Sequence, residues 1–154
     1  MVAYTSTPED LKITSRDLAF GRSAPSPRHC LGGDPIATAF YNALSASFPQ
    51  GERFFMDSVR NFKSKADAKL QQQIVAFTTQ EALHTREHVF FNQQIAGAGY
   101  HLSKLDAVIK KRLEFGRTRP KLEQLGATIA LEHFTAILAH EALSNPAHFA
   151  DAAP

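Results

Sequence analysis

The hydrophobic positions of this chain fall into helical steps from residue 34 onward and into no sustained pattern before it. Residues 1–33 mix Thr, Ser, Pro, Gly and charge, and Ser23-Ala24-Pro25-Ser26-Pro27 suits neither helix nor strand, so an extended arm is expected there. Asp34-Pro35 then offers an N-cap with proline at the first helical position, and Ile36, Phe40 and Leu44 follow at four-residue steps. This predicts a short helix to about Ser47, a break at Phe48-Pro49-Gln50-Gly51, and a second helical stretch over Glu52 to Phe62. Ser64 is the expected cap of a long helix reaching the stop signals Gly97 and Gly99. Ser103 to about Phe115 reads as another amphipathic helix through Leu105, Val108, Ile109 and Leu113. Pro120 opens the last helix, which should end near Asn145-Pro146, leaving a small polar, alanine-rich tail. No β-alternating run, hairpin signal or internal repeat stands against an all-α class.

Chemistry enters with the residues on the core-facing seams. Alternating steps of three and four along the long helix give Leu70, Ile74, Phe77, Glu81, His84, His88, Phe91 and Ile95, so apolar ends bracket a polar middle. The preceding stretch gives Phe48, Glu52, Phe55, Val59 and Phe62; the last helix gives Leu122, Leu125, Ile129, Glu132, Ala136, Ala139 and Leu143. Carboxylates from three helices facing one core need neutralising by protonation, basic partners or metal. The seams hold no basic side chain but histidine, which favours metal. Glu81 and His84 form a Glu-x-x-His step, a carboxylate and an imidazole one turn apart on one face, as dinuclear sites in helix bundles use. The expected cofactor is two divalent ions, with iron first and manganese or zinc as alternatives. His88 is a further ligand, a hydrogen-bond partner of the ligands, or a satisfied core histidine; His133 and His140 lie off the seam, and Glu87 and Glu141 are expected to face solvent.

Composition narrows the partners. At 154 residues and 44% hydrophobic, the chain can bury a single core. Its net charge of +2 arises from interspersed signs, the longest basic run being Lys110-Lys111-Arg112, so neither a nucleic-acid surface nor a membrane patch is indicated. Charge interrupts every apolar helix, leaving no membrane span. The single cysteine, Cys30, and a start lacking signal-peptide order suit a cytoplasmic location.

A series of motifs then extends along the chain: Arg28-His29 with Gly32-Gly33-Asp34-Pro35; Asn42-Ala43-Leu44-Ser45; Phe48-Pro49-x-Gly51-Glu52-Arg53-Phe54-Phe55; Gln80-Glu81-Ala82-x-His84-x-Arg86-Glu87-His88 with Asn92; and Leu131-Glu132-His133-Phe134-Thr135-Ala136. With these motifs in order, the chain resembles the ferritin-like family of predicted metal-dependent hydrolases from the arm onward. The resemblance implies an arm over 1–33, a ferritin-like metal-binding helical domain over 34–154, and Glu52, Glu81, His84 and Glu132 as ligands. It also marks a departure. Such bundles carry two Glu-x-x-His pairs, and this chain has one, since Glu114 is followed three residues later by Arg117. Family members continue past the position of Pro154 into a helix with Trp-His and Glu-Glu-x-Glu-His patterns. The expectation is thus a bundle without its last ligand-bearing helix, the N-terminal part of a longer protein, whose activity alone is in question; a homodimer donating ligands across its interface is conceivable but would not create the missing motif.

Three functions compete at this stage. The first is metal-dependent hydrolysis of an unknown small molecule. The second is oxygen-dependent oxidation at a di-iron pair, which the carboxylate-rich ligand set suits equally. The third is a non-catalytic metal-binding or helical interaction protein. Phe55, Phe77 and Phe91 flank the expected ligands and would line an apolar substrate pocket or simply fill the core.

Overall fold

The computed structural model describes residues 12–20, 25–145 and 147, and among them every regular element is helical. The helices are α1 (Pro35–Arg60), α2 (Ala68–Gly97), α3 (Ser103–Arg117) and α4 (Lys121–Ser144), with a 3-10 turn at Lys63–Lys65 between α1 and α2. They form a helical bundle in which α1 is central, packed against α2, α3 and α4. No helix among the described residues is long and apolar enough to cross a membrane.

The caps follow side-chain chemistry. Asp34 Oδ1 accepts from the amides of Ile36 and Ala37 at 2.7 and 3.1 Å, with Pro35 opening α1 as expected. The cap of α2 is Asp67, which accepts from Leu70 N at 2.8 Å; Ser64, the expected cap, lies in the 3-10 turn instead. Gly99, at φ +87°, ends the turn after α2 in a conformation that a side chain would strain.

The largest departure from the expected helices is that α1 runs unbroken through Pro49. Proline has no amide proton, so the carbonyl of Ser45 loses its helical partner. Asn92 Nδ2 reaches across from α2 and donates to that carbonyl at 3.3 Å, while Ser45 Oγ donates to Asn92 Oδ1 at 3.0 Å. A neighbouring helix thus replaces the missing bond, and two expected helices become one.

The phase of α4 also differs. Gln124, Thr128 and Ala142 are its buried residues, whereas Leu122, Ile129 and Leu143 from the expected seam are exposed, as are Phe134 and Ile137 on the other flank. Apolar side chains on both flanks left the periodicity ambiguous; polar contacts chose the face. Thr128 Oγ1 meets the fully buried Ser58 Oγ of α1 at 2.7 Å, and Gln124 Nε2 donates to the carbonyls of Arg117 and Arg119 at the end of α3.

The described part of the arm lies along α2 in the same direction. Side chains spaced by seven on one face of α2 accept its backbone amides: Gln80 from Arg16 at 2.8 Å, Glu87 from Phe20 at 3.3 Å and Gln94 from Ser26 at 3.4 Å. Arg28 closes the row by donating to the carbonyls of Ala98 and Gly99 and lying over the Tyr100 ring. Glu87, expected in solvent, is therefore buried, its other oxygen taking Arg86 Nε at 2.7 Å. Glu141 is exposed, as expected.

If Asn92 satisfies the carbonyl freed by Pro49, Asn92→Ala should destabilise the protein by about 1–2 kcal/mol. The same change should cost markedly less in a Pro49→Ala background, where residue 49 can supply the amide. Urea melts of the four proteins in this cycle measure the coupling, and strict additivity would refute the compensation.

Candidate metal centre

Glu52 on α1 and Glu81 on α2 are both buried, and Glu52, 2% exposed, is among the most completely buried side chains of the described protein. With His84 one turn beyond Glu81, they form a group whose ligand atoms all lie within 4.8 Å of one another. His84 is the open side of the group, its side chain 56% exposed. The helices deliver this convergence: the Glu-x-x-His step aims two α2 side chains at α1, and α1, continuous through Pro49, turns Glu52 toward them.

The hydrogen bonding leaves one position free. Thr85 Oγ1 donates to Glu52 Oε2 at 2.7 Å, which orients the carboxylate. Glu52 Oε1 is buried without a hydrogen-bond partner among the described residues. His84 Nδ1 approaches it to 3.5 Å, a contact that does not satisfy it as a hydrogen bond.

The electrostatics are unfavourable as the group stands. Two carboxylate charges within 4.8 Å of one another would repel by roughly 3 kcal/mol or more at an effective dielectric constant of about 20. Burial pushes the Glu52 carboxyl up to about 7, against the Thr85 hydrogen bond and with help from Glu132. Burial, then the charges of Glu132 and Glu52, push Glu81 up to about 8. His84 is shifted down by burial and by Arg16, so it offers a neutral nitrogen and no compensating charge. A divalent cation would satisfy the free oxygen, relieve the repulsion and take the imidazole lone pair. The donor set fits such an ion.

The other expected ligands stand apart. Glu132 of α4 is close enough to raise both carboxyls, and burial raises its own, but it lies outside the close group and lines a cleft of about 330 Å³ between α2 and α4. His88 is also outside the group. Its ring packs edge-on to His84, with centroids 5.8 Å apart, and against Phe48 and Phe91, and its Nδ1 lies 3.0 Å from Ser45 Oγ. Burial and then the neighbouring His84 push it down to about 4, with Glu87 opposing. The sequence motifs include Asn92 without giving it a role, and they leave Thr85 out. Asn92 follows His88 by four residues on the same face of α2, a spacing that could have indicated it; Thr85 carries no comparable signal.

The family model described as predicted metal-dependent hydrolase matches residues 14–154. No curated protein and no solved structure matches the chain.

The raised carboxyls give the metal-free protein a definite pH dependence. Each binds its proton more tightly folded than unfolded, so the associated stability is full below the ordinary carboxyl value of 4.5 and is lost as pH rises through about 7 and 8. In chelator, thermal midpoints should fall by several degrees, on the order of 3 °C or more, between pH 5 and 8, and Glu81→Gln should flatten the slope. A variant with the same slope as the parent would contradict the assignment.

Proposed function

The chain belongs to the predicted metal-dependent hydrolase family, and we propose that it holds two divalent ions at a carboxylate–histidine centre and performs hydrolysis there. The observation that carries this reading is the buried, unpartnered Oε1 of Glu52 beside Glu81 and the neutral His84. In this proposal Glu52, Glu81 and His84 hold the first ion. Glu132 supplies a carboxylate for the second from the wall of the α2–α4 cleft. His88 stands beside the ions and not on them, because it lies outside the close group of Glu52, Glu81 and His84. Bound divalent ions would supply Lewis acidity and activation of water.

The chain's own residues then have defined tasks. Thr85 fixes Glu52 so that Oε1, and not Oε2, faces the ligand group. The exposed side of His84 leaves room for a substrate to approach. The open cleft beside Glu132 is lined by Val59, Ile74 and Phe77, which keep its walls apolar and strengthen electrostatic interactions inside it.

A second reading, oxygen-dependent oxidation at a di-iron pair, is favoured by the ligand chemistry itself: three carboxylates accompany one imidazole in the proposed set. The two readings part on the metal that supports turnover.

Elemental analysis after anaerobic ferrous loading and desalting should find about two metals per chain, the stoichiometry such bundles hold, and a large loss in Glu81→Ala. Metal retained unchanged by that variant would place the ions elsewhere, and none in either protein would end the proposal. Ester or phosphodiester turnover with zinc or manganese supports hydrolysis; oxygen uptake by the ferrous form, with no such turnover, supports oxidation.

A further inference from the structure

A second site lies under the arm. Arm, α1 and α2 enclose a cavity of about 440 Å³, within the range of small-molecule sites. Phe20 and Pro27 of the arm, Tyr41 of α1, and Phe91 and Ile95 of α2 give it largely apolar walls. His88 and Ser45 line it, and none of Glu52, Glu81, His84 or Glu132 does.

The hydrogen bonds around Pro49 decide what His88 presents. The Ser45 carbonyl can only accept, so the amide nitrogen of Asn92 must face it, and Asn92 Oδ1 must face the Ser45 hydroxyl. Oδ1 can also only accept, so the hydroxyl proton of Ser45 goes to it. Ser45 Oγ then has only lone pairs for His88, and His88 Nδ1 carries the ring proton in the 3.0 Å contact. The lone pair of the neutral ring is therefore on Nε2. No hydrogen bond occupies Nε2 among the described residues, and it is not among their buried, unpartnered atoms. It is an accessible acceptor on a residue that lines an apolar cavity.

Charge selects further. Arg28 is the one charged side chain of the lining; its Nη1 donates to the carbonyls of Ala98 and Gly99, and its guanidinium lies over the Tyr100 ring. A cation would meet the positive charge of Arg28. We propose that this cavity binds a small, non-cationic, largely apolar molecule that donates one hydrogen bond to His88 Nε2, a phenol or an alcohol in chemical class. The site needs no metal, so it stands or falls independently of the proposed centre.

The probes are 2-naphthol and its methyl ether, 2-methoxynaphthalene, which has the same rings without the donor. The chain contains no tryptophan and one cysteine, Cys30, which lines the cavity, so naphthalene fluorescence and mass-detected alkylation are both clean signals. In chelator, with the full chain, 2-naphthol should bind saturably at one site, about five- to tenfold more tightly than the ether, the ratio one hydrogen bond supplies. Bound 2-naphthol should slow the alkylation of Cys30 by iodoacetamide. His88→Phe should erase the preference for naphthol while the ether still binds. Ala98→Trp, at the helix end that lines the cavity, should weaken both probes; thermal melts would show that each variant is folded. Absence of saturable binding would overturn the proposal. So would binding that leaves Cys30 unprotected, or equal affinities for the two probes that His88→Phe does not change.

Discussion

The structure is organised around a carboxylate in the wrong solvent. Glu52 is nearly absent from the surface, Glu81 sits beside it, and no basic side chain bonds to either among the described residues. Burial of a carboxylate costs several kcal/mol unless something answers its charge. A fold that needed only stability would place Leu or Phe there, as it does at Phe54 and Phe55 two and three residues later. Retaining Glu52, and adding Thr85 to aim it, makes sense if the position is kept for a cation. The remaining geometry serves that purpose: α1, continuous through Pro49, points Glu52 at α2, α2 presents Glu81 and His84 together, and α4 brings Glu132 within electrostatic range.

The arm extends this arrangement outward. It is read by α2 through side-chain oxygens acting on main-chain amides, a row in which Glu87 is the charged member between Gln80 and Gln94. The anionic Glu87 is answered by Arg86, whose other nitrogen holds Asp17 Oδ1 and the Leu18 carbonyl of the arm. One helix therefore faces the carboxylates of the core with one side and the covering segment with another. His88 lies at the junction, against His84 and under the arm's cavity.

How much of this could be read from the sequence depended on whether a signal was local. The caps at Asp34 and the turn at Gly99 are local, and so is the Glu-x-x-His step, so the helical class and the convergence of Glu81 with His84 were legible. Pro49 misled because its consequence is settled 43 residues away, at Asn92. The α4 phase misled because both of its flanks are apolar, and the choice fell to Ser58 and Thr128, polar residues that a hydrophobic count passes over. Glu87 was placed in solvent because nothing in the arm's composition says which surface it covers.

The Pro49 contact also bears on the order in which the molecule is built. In an isolated α1 segment the chain has every reason to bend at residues 48–51, since the Ser45 carbonyl has no partner within its own helix. The two halves gain a reason to stay one rod when α2 supplies Asn92. The direction of Glu52 would then owe as much to docking as to local propensity. A chain that had made α1 but not α2 would hold the carboxylate in water, where it costs nothing, and would bury it only as α2 brought Glu81 and His84 to it.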